Sequence, residues 1–229
     1  LMMERSIDVY IEPTSDPHQS EYVADYYKGR AYLTDFTGSA DIAVVTMNEA
    51  ILWTDGRYFI QAENELSGSE IQLYKMNTKG YPAYDQWLMD NITKGARIGI
   101  NGLIFSQGNY EILNEKLKKK SPVFHYHEDL VDIIWENRPA LSKNPAFILD
   151  EKYSGKSTTE KLEEIREYLN KEEGDYLLIG SLDDIAWTFN IRGGDVTNNP
   201  VVISYTLIGK KDARLFVDLD KLSVEVKAV

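Results

Sequence analysis

Apolar and polar positions alternate through Ile7-Asp8-Val9-Tyr10, which predicts a strand running to Ile11. Pro13-Thr14-Ser15-Asp16-Pro17 then reads as a turn, because each proline fixes φ and removes a backbone donor. The segment from Ser20 to Tyr27 predicts a helix capped by Ser20 and closed near Gly29. Two apolar runs, 41–46 and 50–53, flank Met47-Asn48-Glu49 and predict a hairpin. Thr54-Asp55-Gly56 follows, and from Arg57 the spacing of Tyr58, Ala62 and Leu66 is helical. Beyond it the period alternates. Strands are expected at 71–76, 97–100 and 123–126, and helices at 84–92, 109–117 and 130–135. Trp87 and Leu88 face inward on the first of these helices, and Ile112, Leu113 and Leu117 share one face of the second. Alternating strands and helices predict an α/β layered domain, and the hairpin makes its sheet mixed.

Arg138-Pro139-Ala140-Leu141-Ser142-Lys143-Asn144-Pro145 has no period and two prolines, so it reads as a linker dividing 1–140 from 141–229. In the second part, Ser157-Thr158-Thr159-Glu160 fits a capping box, with Leu162, Ile165 and Leu169 as the apolar stripe behind it. Tyr176-Leu177-Leu178-Ile179 predicts a buried strand, and Ser181 caps a helix through Phe189. Strands are expected at 201–208 and 214–217, around the loop Gly209-Lys210-Lys211-Asp212. A further strand is expected from Leu222 to Val226. This part is short and stops mid-pattern, so it is expected to be a truncated α/β domain of similar type.

Charge narrows the partners. Twenty-five basic against 37 acidic residues leave a net charge of −12 over 229 residues. Duplex nucleic acid requires a clustered cationic face, and the one basic cluster, Lys116 to Lys120, sits at an expected helix end, where cations complement the dipole. No nucleic-acid partner is therefore expected. No apolar run reaches the ~18 residues of a membrane span, and the first residues lack a secretory apolar region. Leu1 is not an initiator, so a start inside a longer reading frame is expected. The absence of cysteine removes disulfides and thiolate chemistry and accords with a reducing cytosol.

Several residues could carry chemistry. His125 and His127 share a strand face, which suits either metal ligation or a solvated strand end. Asp183 and Asp184 fall in a first helical turn, where capping competes with acid–base work. Asp8, Asp41 and Asp55 lie on or beside strands and could meet around Mg²⁺, as in a nuclease of the ribonuclease H type. His18 lies beside a helix start. Thr54-Asp55-Gly56-Arg57-Tyr58 stands where a strand becomes a helix, the usual place for ligands in α/β sheets. Arg57 there suits a carboxylate or carbonyl of a ligand, and equally an ion pair with Asp55 or Glu63.

Five blocks, in order, carry a resemblance. They are Asp16-Pro17-His18-Gln19-Ser20-Glu21-Tyr22, Phe36-Thr37-Gly38-Ser39-Ala40, the run from Leu52 through Asp55-Gly56-Arg57-Tyr58 to Ala62, the run from Leu130 to Trp135 with Arg138-Pro139, and the run from Leu182 to Asp195 with Asn199-Pro200-Val201. Together they resemble the amino-terminal part of the Xaa-Pro aminopeptidase (aminopeptidase P) family, of the creatinase/prolidase class. The resemblance implies a creatinase/prolidase N-terminal domain fold, a mixed sheet flanked by helices, followed by a second, incomplete domain. It implies a parent metallopeptidase that releases the N-terminal residue from peptides with proline second. Its two metal ions, usually Mn²⁺, would be held by a C-terminal pita-bread domain whose motifs are absent here. This chain is therefore expected to hold no catalytic or metal-ligating residue, and to serve oligomerisation, as a homodimer, and gating of the substrate cleft. Arg57 is expected on the substrate path, with Asp55, Tyr58 and His18 beside it, and Trp187 and Arg192 at an interdomain surface. Asp35 and Asp41 stand where the family commonly has Gly, and Glu12 where an apolar residue is usual. A stand-alone protein-binding module without peptidase activity is the alternative, and prolidase or creatinase are the nearest variants of the first reading.

Overall fold

The computed structural model describes residues 1–227. Two compact units are distinguished, Leu1–Glu21 with Tyr26–Pro139, and Tyr22–Asp25 with Ala140–Val229.

In the first unit the elements run β1 (Val9–Pro13), α1 (Gly29–Thr34), β2 (Asp41–Thr46), β3 (Ala50–Thr54), α2 (Phe59–Glu65), β4 (Ile71–Lys75), α3 (Tyr84–Asn91), β5 (Arg97–Ile100), α4 (Gln107–Leu117), β6 (Val123–His125) and α5 (Leu130–Ile134). They form one sheet in the order β4-β3-β2-β1-β5-β6. Only β2 runs against the rest, paired antiparallel to β1 and β3. The β1–β5, β5–β6 and β3–β4 pairs are parallel. The carboxyl ends of β1, β3, β4, β5 and β6 therefore share one edge of the sheet, and the turns that leave them meet there.

Both sheet faces are covered, so the central strands are buried on both sides. Val9, Ile11, Val44, Ile51 and Trp53 pack on one face against Trp87, Leu88, Leu113 and Leu117 of α3 and α4. Trp53 is fully buried, and its indole N–H donates to the Pro82 carbonyl at 2.8 Å. On the other face Ala43 and Leu52 meet Phe36, Ala62 and Leu66, and Tyr10 meets Leu130 and Val131 of α5.

Two expectations fail here. The helix from Ser20 to Gly29 is absent. Asp25–Tyr27 form one 3₁₀ turn, and Gly29 opens α1 instead of closing a helix. The Asp16 carboxylate accepts from the backbone N–H of His18 and of Ser20, each at 2.9 Å, and holds that stretch as a turn. At Gly29 a Cβ would run into the Glu12 carboxylate, so the glycine is there for a close approach. Ile112 is 68% exposed, so the inner face of α4 is made by Leu113 and Leu117 alone of the three residues expected there.

The second unit holds β7 (Phe147–Ile148), α6 (Glu151–Ser154), α7 (Thr158–Lys171), β8 (Tyr176–Ile179), α8 (Leu182–Thr188), β9 (Ile191–Arg192), β10 (Ser204–Gly209), β11 (Ala213–Val217) and α9 (Val224–Lys227). Its sheets are β11-β10-β8, all antiparallel, and the pair β7-β9. The run β8-α8-β10-β11 repeats the neighbour order and antiparallel pairing of β1-α1-β2-β3. Ser157 and Glu160 form the complete capping box of α7.

Further corrections fall in this unit. Tyr176–Ile179 lies at a sheet edge with Leu178 68% exposed, so it is not a buried strand. Residues 222–226 form no strand. Leu219–Lys221 is a 3₁₀ turn and α9 follows, started by Ser223, whose hydroxyl accepts from the Val226 N–H at 3.3 Å. Leu162 and Ile165 are half-buried, while the fully buried residue of that stretch besides Leu169 is Lys161. Among the described residues no helix is long and apolar enough to cross a membrane.

Candidate functional site

Strand β3 ends at the buried Thr54, whose hydroxyl donates to the Ala40 carbonyl at 2.9 Å. The chain then turns at the carboxyl edge. Asp55 Oδ1 accepts the Arg57 backbone N–H at 3.0 Å, which folds Arg57 back over Asp55. Nε and Nη2 of Arg57 bind the same carboxylate, Nη2 at 2.7 Å from Oδ2. Of the two ion-pair partners open to Arg57, the structure shows Asp55, while Glu63 pairs with Lys75. The Arg57 side chain is nonetheless 63% exposed. Its hydrogen bonds to Asp55 raise the guanidinium pKa and lower that of the carboxyl, so both groups stay charged.

Tyr58 carries this pair. The Arg57 guanidinium lies 5.4 Å from the Tyr58 ring centroid, a cation–π distance. The Tyr58 hydroxyl is 2.8 Å from Ser39 Oγ, and its ring meets Phe36 edge-on at 5.9 Å. The loop behind them is held from both sides. Inside, Arg30 is 3% exposed and pairs with Asp41 at 2.8 Å. Its Nε donates to Thr14 Oγ1 at 2.9 Å, and Nη1 and Nη2 donate to the Phe36 and Gly38 carbonyls. Outside, Glu65 accepts from the Thr37 N–H and hydroxyl, both at 2.8 Å, and Gln61 donates to the same hydroxyl. Burial pushes the Asp41 carboxyl up to about 6, against the pull of Arg30, and lowers the Arg30 pKa.

Arg30 is a residue that sequence reasoning missed. A signal was present: Asp41 opens the apolar strand Ile42-Ala43-Val44-Val45, and a carboxylate buried there needs a cation. Of the two Asp residues standing where Gly is common, Asp35 does adopt a left-handed conformation with φ 52°, whereas Asp41 lies in regular strand.

The turn after β1 reaches the same edge. Gln19 Nε2 donates to the Ile104 carbonyl at 2.9 Å and so ties this turn to the one after β5. His18 lies in this turn, with its backbone N–H on Asp16. Glu21, just beyond it, acts electrostatically on Arg57. Sheet topology thus gathers Asp55, Arg57, Tyr58 and His18 at one edge.

The remaining candidates separate. Asp8, Asp41 and Asp55 pair with Arg97, Arg30 and Arg57 respectively, each with its own cation. Strand β6 ends at His125, so His127 lies beyond it, its ring tilted against that of Tyr126 with the centroids 4.3 Å apart. Among the described residues no three His, Asp or Glu side chains gather as a metal site. Asp184 receives the Ser181 cap at its backbone, and Asp183 accepts from Asn199 at 3.4 Å.

Trp187 lies near the end of α8, and Arg192 reaches back to the same helix. Arg192 donates to the Ala186 carbonyl and to that of Ile191. The Lys161 ammonium sits 4.4 Å from the Trp187 ring centroid and donates to the Trp187 carbonyl at 2.7 Å. Trp187 is 43% exposed, so it is not an ordinary core residue.

Comparison with known proteins agrees with this fold. Family models described as Creatinase/Prolidase N-terminal domain match residues 1–132 and 137–229. Xaa-Pro aminopeptidase 1 of Dictyostelium discoideum is 39% identical over 236 residues, covering 99% of this chain and 38% of that protein. Aminopeptidase P2 of Arabidopsis thaliana is 43% identical over 224 residues, covering 96% and 31%. The crystal structure of X-prolyl aminopeptidase from Caenorhabditis elegans, a cytosolic enzyme with a di-nuclear active site, is 35% identical. It superposes with a TM-score of 0.90 over 97% of this chain and 36% of that one. The chain thus spans between 31% and 38% of the length of these relatives. From its first strand to its last described helix, it belongs to the creatinase/prolidase N-terminal domain family.

Proposed function

We propose that this chain is the non-catalytic amino-terminal portion of a cytosolic, metal-dependent Xaa-Pro aminopeptidase. The observation that carries the reading is near-complete coverage of this chain by Xaa-Pro aminopeptidases at about 40% identity, as in the 39% over 99% with the Dictyostelium protein. In this reading the two units are successive domains, and the remainder of the longer protein holds two metal ions, expected to be Mn²⁺, which supply the activated water. The residues of this chain bind and orient. Arg57 projects into solvent at the carboxyl edge with its guanidinium fixed by Asp55 and the Tyr58 face. It offers a planar fork to a carbonyl or carboxylate of a peptide entering the cleft. His18 borders the same path. Trp187 and Arg192 support the surface met by the following domain, and a homodimer is the expected assembly.

The test is Arg57→Ala in the longer protein, assayed with Xaa-Pro peptides of several lengths. The expected result is a fall in kcat/KM of roughly fivefold or more, carried mainly by KM. Unchanged kcat/KM at every length would remove Arg57 from the substrate path.

A protein-binding module without peptidase activity is the second reading. It is favoured by the face of β8, β10 and β11 that exposes Tyr176, Leu178 and Phe216. Peptide hydrolysis by the longer protein separates the two.

A further inference from the structure

We propose that Arg30 is a positioning residue for the Arg57 site, acting through the Phe36–Ser39 loop and Tyr58. The inference rests on the reading of Arg57 as a substrate-path residue.

The chain of contacts is continuous. Arg30 takes the alternate carbonyls of Phe36 and Gly38 with its two terminal nitrogens. Both carbonyls are drawn inward, and Thr37 between them is turned out to Glu65 and Gln61. The loop has no slack. A Cβ at Gly38 would overlap the Phe36 ring and stand 3.0 Å from Tyr58 Cδ1. Its next residue, Ser39, reaches the Tyr58 hydroxyl at 2.8 Å. Tyr58 therefore meets the loop through its ring and through its hydroxyl, and Arg57 lies over the same ring. Phe36 itself is fully buried, and the Arg30 guanidinium stands 5.1 Å from its ring centroid.

The guanidinium suits this task and an ammonium does not. One planar fork serves Thr14, Asp41 and two loop carbonyls at once. Lysine keeps the charge facing Asp41 but has no planar array of five N–H donors. Arg30→Lys should therefore release the loop while leaving the charge pair in place. Arg30 touches no substrate in this scheme. It places the residues that do.

The experiment compares R57A, R30K, S39A and the R30K/R57A double variant in the longer protein, with one Xaa-Pro peptide. R30K is expected to raise KM about fivefold or more with kcat within about twofold. The double variant should be no worse than R57A, because Arg30 acts only through Arg57. Amide hydrogen exchange over 36–40 should quicken in R30K, with that of β3 unchanged. If R57A raises KM and R30K does not, or if the two losses multiply, the inference fails while the Arg57 reading stands. If R57A itself is silent, the reading fails and takes the inference with it. Should R30K not fold, S39A cuts only the last link, Ser39 to Tyr58. It must then raise KM about twofold or more without adding to R57A, and a silent or additive S39A overturns the proposal.

Discussion

Glu12 lies on β1 with 2% of its surface exposed, and its Oε2 has no hydrogen-bond partner. Around it stand the Tyr10 hydroxyl, Asp129, Arg138 and Arg30. Burial pushes its carboxyl from 4.5 up to about 8, Asp129 adds to the rise, and the two arginines oppose it. The folded unit therefore holds the neutral acid at pH values where the unfolded chain is ionised. Its contribution to stability is complete below 4.5 and is lost as pH climbs through about 8. Glu12→Gln removes that dependence. We expect its melting temperature to change less between pH 5 and 8 than that of the wild type, and the variant to be more stable at pH 8 by about 2–4 kcal/mol. Parallel melting profiles for the two proteins would contradict this. Asp35 poses a smaller problem, holding φ at 52° where α1 ends. Asp35→Gly should stabilise the unit by about 0.5–1 kcal/mol in chemical denaturation, and a loss of stability would show that the Asp side chain is needed there.

Among the elements, α7 is the clearest case of local sequence setting local structure. Ser157 Oγ accepts the Glu160 N–H at 3.2 Å, and the Glu160 carboxylate accepts the Ser157 N–H at 2.8 Å. Ser157→Ala should cost about 1 kcal/mol of stability in the second unit, measured by urea unfolding followed through its tryptophan, and no change would mean that packing alone holds the helix. This helix, the β2–β3 hairpin and strand β5 were legible because each is encoded within a few residues. The failures have different causes. The Ser20–Gly29 helix lost to the Asp16 carboxylate, a local competitor for the same backbone N–H groups. The 176–179 run is apolar yet lies at an edge, and no period along one strand distinguishes edge from centre. At the site, Asp55, Arg57 and Tyr58 were legible because they are contiguous. Arg30 was not, because its partners Thr14, Phe36, Gly38 and Asp41 come together only through the fold.

For the whole molecule, sheet topology decides where a ligand can be met. Five of the six strands of the first sheet point the same way, so their turns converge on one edge with Arg57 at its surface. Below that edge lies a buried ionic pair, Arg30 with Asp41, and beside it a loop fitted too closely for a side chain at Gly38. In the proposed function, such rigidity serves to place a peptide and leaves its hydrolysis to the rest of the protein. The most direct test is a side-by-side assay of an Xaa-Pro peptide with Mn²⁺, using the 229-residue chain and the longer protein that carries it. The predicted result is hydrolysis by the longer protein and none by the chain alone. Turnover by the 229-residue chain, or its absence from the longer protein, would contradict the proposal.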